Sequence, residues 1–95
     1  MASSKDYRVL EQKAEVLKAI SHPVRLCILR GLVLNGPSSV GKMTICLNIP
    51  QATVSQHLAK MKAVGIMSGN RQGTKVIYKL NDKHNIIKLI ESFIL

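Results

Sequence analysis

Ninety-five residues, 46% of them hydrophobic, suffice for one small domain with one modest core. Trp is absent, Phe occurs once and Tyr twice, so that core must be aliphatic and mostly helical, and a chain this small gains by burying surface against a second copy. The formal charge is +9, from 14 Lys and Arg against 5 Asp and Glu, and from Val16 to Asn81 no acidic residue interrupts Lys18, Arg25, Arg30, Lys42, Lys60, Lys62, Arg71, Lys75 and Lys79.

A field of one sign seeks phosphate, whereas lysines serving solubility alone would come mixed with acids. The same span leaves no carboxylate for general-base work. No Ser/His/Asp order, glycine-rich phosphate loop or paired carboxylates appears either, so no enzyme is expected. Two cysteines are too few for a disulfide scaffold. No apolar run of about 18 residues occurs, and the opening Met-Ala-Ser-Ser-Lys-Asp does not lead into an apolar signal core. The expectation is a cytoplasmic protein without a membrane partner or a cofactor.

The whole chain, 1–95, is read as a single domain with residues 1–6 disordered. From Tyr7, Leu10, Ala14, Leu17 and Ile20 recur with helical spacing, which predicts an amphipathic helix to about Ile20. Ser21-His22-Pro23 interrupts it, and Pro23 suits the first turn of a second helix whose Val24, Leu26, Ile28, Leu29, Leu32 and Val33 form the centre of the core. Asn35-Gly36-Pro37-Ser38 ends that helix. A short third helix begins near Ser39 and carries Val40, Met43, Cys46 and Leu47, after which Asn48-Ile49-Pro50 turns the chain.

The stretch from Pro50 to Gly65 follows. Val54, Leu58 and Met61 form one apolar stripe, and Gln51, Thr53, Ser55, Gln56, Lys60 and Lys62 occupy the other faces. Amides can bond adenine edges bidentately, and hydroxyls and lysines can bond phosphates. A short helix, a turn and a second, more polar helix make the pattern of a helix-turn-helix, with the second helix entering the major groove of DNA. Gln51, Ala52, Thr53, Ser55 and Gln56 are the candidate base-reading residues, and Lys42, Lys60, Arg71, Gln72 and Lys75 the candidate phosphate contacts.

Beyond Gly65 the period changes to two. Val76, Tyr78 and Leu80 alternate with Lys75, Ile77 and Lys79, and Ile66 to Arg71 can pair with them across Gln72-Gly73, where Gly73 permits the positive φ of a tight hairpin. The tip, with Arg71, Gln72, Thr74 and Lys75, forms a wing. Asn81-Asp82 offers an N-cap for a last helix bearing Ile86, Ile87, Leu89, Ile90, Phe93 and Ile94, more apolar groups than a small core can hide. The surplus is assigned to a homodimer interface of Leu10, Leu17, Ile86, Ile87, Ile90, Phe93 and Ile94. The fold class is therefore mainly α (α+β): about five helices and a two-stranded wing.

Single residues carry weaker signals. His57 is read as a partly buried histidine bonded to backbone and His22 as a cap or loop residue. Cys27 lies between Arg25 and Arg30, and neighbouring cations favour reactive thiols, so Cys27 and Cys46 are redox candidates against the alternative that both are small hydrophobes.

Laid out this way, the chain resembles the ArsR/SmtB family of winged-helix repressors over nearly its whole length. The resemblance rests on Leu17 to Leu29, on Gln51-Ala52-Thr53-Val54-Ser55-Gln56-His57-Leu58, and on Gly73 with Val76-Ile77-Tyr78-Lys79-Leu80. It implies a homodimer built from the first and last helices, operator binding in the uninduced state, and release by a metal, an oxidant or another inducer. The family's arsenic and cadmium sensors carry paired cysteines where this chain has Ser38-Ser39-Val40-Gly41-Lys42. Its zinc sensors carry Asp-x-His at the start of the last helix; Asp82 and His84 match, but Leu95 stands where the next His would fall, leaving a weak half-site with fewer than the four ligands zinc wants. Asp82 is accordingly read as a helix cap. The rival readings are a constitutive repressor without an inducer site and a winged-helix protein-interaction module.

Overall fold

The structure is a computed structural model that describes residues 3–95. Helix α1 spans Ser4–Ile20 and starts earlier than the apolar period predicts. Its N-terminus is a capping box: Ser3 Oγ accepts the Asp6 N–H at 3.2 Å, and the Asp6 carboxylate accepts the Ser3 N–H at 3.3 Å. Disorder through residue 6 is thus corrected over Ser3–Asp6, while residues 1–2 lie outside the described residues. Helix α2, Pro23–Asn35, has Pro23 in its first turn and His22 as its cap, Nδ1 accepting the Val24 N–H at 3.1 Å. It buries Ile28, Leu29 and Leu32.

Strand β1, Ser38–Ser39, leads directly into α3, Val40–Leu47, where Ser39 Oγ caps the Lys42 N–H at 3.1 Å. Asn48 then adopts φ 55, a left-handed conformation that asparagine tolerates, and the turn Asn48-Ile49-Pro50 delivers the chain into α4, Gln51–Ala63. The stripe Val54, Leu58 and Met61 is fully buried, and it fixes which face of α4 looks outward.

Strands β2, Met67–Gln72, and β3, Lys75–Leu80, pair antiparallel from Met67↔Leu80 to Gln72↔Lys75, closing on Gly73 at φ 65. The two-stranded wing is joined by a third strand, giving the order β1-β3-β2, because Ser38 and Ser39 pair with Tyr78 and Ile77. That ladder ties the start of α3 to the base of the wing.

Asn81 and Asp82 do not cap the last helix. Asn81 Oδ1 accepts the Lys83 N–H and its Nδ2 donates to the Gly65 carbonyl, closing a turn at the wing's exit. Helix α5 begins later, at Ile86–Ile94, with His84 Nδ1 accepting the Ile86 N–H at 3.2 Å. Ile87 and Ile90 point inward and join the protomer's core, which removes them from the expected dimer interface. Leu10, Leu17, Leu89 and Phe93 are exposed, Phe93 at 79%, and Ile86 and Ile94 are half-buried. The radius of gyration is 14.3 Å, against about 12 Å for a compact chain of this length, because α1 extends beyond the core.

Candidate nucleic-acid interface

The outward face of α4 presents Gln51, Ala52, Ser55, Gln56 and Lys60 exposed, with Thr53 half-buried beside them. Among the described residues, none of these side chains makes a hydrogen bond within the chain, so their donors and acceptors are open to a ligand. Pro50 precedes the helix and supplies no side-chain cap; its carbonyl accepts the Thr53 N–H at 3.0 Å, and the Gln51 and Ala52 N–H groups before it are left open. Lys42 in the first turn of α3 is exposed, as are Arg71, Gln72 and Lys75 at the end of the β2–β3 hairpin. Gly69 lies opposite Tyr78, whose ring covers it: a Cβ there would stand 3.0 Å from the ring edge. The wing is therefore braced near its middle, below the charged tip.

The positioning of α4 depends on a residue that periodicity does not reveal. Arg25 is the one buried charged side chain among the described residues, and it has no acidic partner. Its Nε donates to His57 Nδ1 at 3.0 Å, and its Nη1 donates to the carbonyls of Ala19 at 3.2 Å and Lys18 at 3.4 Å. One planar guanidinium thus joins the end of α1, the first turn of α2 and the middle of α4. His57 bonds this side chain and not the backbone as expected, and its ring packs at 4.5 Å from that of His22. Burial, reinforced by His22, Arg25 and Lys60, holds the His57 pKa below the ordinary imidazole value of 6.5. A neutral His57 keeps the Nδ1 lone pair that Arg25 requires.

The Arg25 guanidinium is thus engaged by His57, Ala19 and Lys18 and is not a neighbouring cation for Cys27. Both cysteines are free and exposed. They line one groove between α2 and α3. Asp82 is exposed, His84 spends Nδ1 on α5, and among the described residues no group of three His, Cys, Asp or Glu could hold a metal. No described helix is long and apolar enough to cross a membrane.

Comparison with known proteins agrees with this geometry. A helix-turn-helix domain model matches residues 20–69. The transcriptional repressor PagR of Bacillus anthracis is 40% identical over 87 residues, covering 90% of this chain and 87% of PagR, and its crystal structure superimposes with a TM-score of 0.77. The repressor SmtB of Mycobacterium tuberculosis is 38% identical over 76 residues, which span 80% of this chain and 56% of SmtB. The solution structure of a homodimeric winged helix-turn-helix DNA-binding domain from Mycobacterium bovis, a candidate ArsR-family regulator, has a TM-score of 0.83 at 26% identity, over 96% of this chain and 82% of that one. The chain belongs to the ArsR/SmtB family of winged helix-turn-helix transcriptional repressors.

Proposed function

We propose that the chain acts as a homodimeric, sequence-specific repressor that occupies an imperfect inverted-repeat operator in double-stranded DNA and leaves it when an inducer acts. The observation that carries this is the outer face of α4, free of acids and of internal hydrogen bonds, set on a buried apolar stripe that prevents it from turning. Two such helices, one per protomer, would enter successive major grooves about 34 Å apart. Gln51, Thr53, Ser55 and Gln56 read base edges, and Ala52 touches a thymine methyl. Lys42, Lys60, Arg71, Gln72 and Lys75 bond phosphates, and a further phosphate meets the open N-terminus of α4.

The dimer forms through α1 and α5. Leu10, Leu17, Leu89 and Phe93 are large apolar side chains left in water by the single protomer, while Ile86 and Ile94 are half-buried against the core. Homodimerisation in the Mycobacterium bovis domain supports this assignment. The experiment is fluorescence anisotropy of specific and scrambled duplexes across salt concentrations. Gln56→Ala relaxes discrimination at one base pair in each half-site, by about 1–3 kcal/mol per base pair, whereas Lys75→Ala weakens all sequences alike and lowers the salt slope by about 2, one phosphate per protomer. Equal losses on specific and scrambled DNA from both changes would overturn the division of labour. A protein-interaction module would instead keep its partner after loss of Lys60, Arg71 and Lys75.

A further inference from the structure

The groove between α2 and α3, about 260 Å³ in volume, holds no base-reading residue, and of its lining only Lys42 is also assigned to a DNA phosphate. Cys27 and Arg30 stand three apart on α2, and Lys42 and Cys46 stand four apart on α3, so each helix presents one thiol and one cation on a single face. Both thiols are free and exposed, and no acidic residue lines the groove. Gly31 lies one turn beyond Cys27, and a Cβ built there would meet nothing within 4 Å. A glycine within a helix costs stability relative to alanine, and here it leaves the space beside Cys27 open.

We propose that this groove is a thiol-exchange site for a small anionic disulfide, and that its modification is the inducing event. The inference rests on the repressor reading above. The carboxylates of the disulfide meet Arg30 and Lys42. The thiolate of Cys27 or Cys46 then attacks one sulfur; the bond between the two ligand sulfurs breaks, a mixed disulfide with the protein forms, and the departing thiolate takes a proton from water. The retained half wedges between α2 and α3. Cys46 is in the last turn of α3, two residues before Asn48, whose left-handed backbone sets the entry into α4. Displacing α3 therefore misplaces the recognition helix.

The test treats the reduced homodimer with oxidised glutathione, which carries carboxylates, or with cystamine, which is cationic. Peptide mapping by mass spectrometry follows the adduct, and operator anisotropy runs in parallel. The expected result is a mixed disulfide at Cys27 or Cys46 that forms about tenfold faster with oxidised glutathione than with cystamine, with loss of operator binding that dithiothreitol restores. Arg30→Gln should shrink that preference. Gly31→Leu should slow modification while the reduced protein still binds its operator. Equal rates with the two disulfides, or an adduct that leaves operator affinity unchanged, overturn the proposal while the repressor reading stands. Failure of the reduced protein to bind promoter DNA at all overturns the repressor reading and the inducing role with it, whatever the adduct rates.

Discussion

Arg25→Met replaces the one buried cation by an apolar chain of similar length. Two good charge-assisted hydrogen bonds are lost, to His57 at 3.0 Å and to the Ala19 carbonyl at 3.2 Å, together with the longer contact to Lys18. At about 1.5 kcal/mol each, the two amount to about 3 kcal/mol. Release from burying an unpaired charge returns part of this, so the net loss should be about 2 kcal/mol. In urea that lowers the midpoint by about 1 M, read by circular dichroism at one fixed protomer concentration because dimer stability depends on it. Arg25→Lys keeps the charge but not the planar fork, and should lose nearly as much. Both variants should also weaken operator binding, since the fork's partner His57 lies on α4. If Arg25→Lys kept the full stability, or Arg25→Met raised it, the joining of three helices through one guanidinium would be refuted.

Three further outcomes are expected. Because the folded-state pKa of His57 is depressed below 6.5, the native protein binds fewer protons than the unfolded chain as pH falls. Its contribution to stability is therefore complete above about pH 6.5 and is lost on acidification toward the folded value, where protonated Nδ1 can no longer accept from Arg25; urea midpoints across pH should show this slope, and His57→Gln should lack it. Gly69→Ala places a Cβ about 3 Å from the Tyr78 ring and Val76, and should lower stability by about 1–2 kcal/mol in the same denaturation assay, with the wing displaced. Phe93→Asp removes the most exposed large apolar side chain of α5 without touching the core; sedimentation should show a dimer dissociation constant raised about tenfold or more, with unchanged far-ultraviolet circular dichroism.

Where local chemistry decides the structure, the sequence is legible. Pro23, the Ser39 cap, Asn48 and Gly65 each act within a few residues, and they set the boundaries of α2, α3 and α4. The Val54-Leu58-Met61 stripe likewise orients the recognition helix correctly. Strand β1 escapes notice because two serines carry no period, and only pairing with Tyr78 and Ile77, far along the chain, makes them a strand. The Arg25–His57 bond joins residues 32 apart, and no motif announces it. Ser3-Ser4-Lys5-Asp6 holds a capping signal, but polar residues at a terminus equally suggest disorder. Helix α5 is ambiguous for another reason: Ile87 and Ile90 serve the protomer's core while Leu89 and Phe93 face outward, and an almost wholly apolar helix does not say which side belongs to which.

The most direct test of the account is a stoichiometric anisotropy titration of the reduced protein onto the DNA upstream of its own coding sequence, against a scrambled duplex of equal length. The account predicts two protomers per site, clear preference for the upstream fragment, and a reduced preference in Gln56→Ala while scrambled-DNA binding stays as it was. Equal affinity for both duplexes, or an unchanged preference after Gln51 and Gln56 are both replaced by alanine, would contradict it.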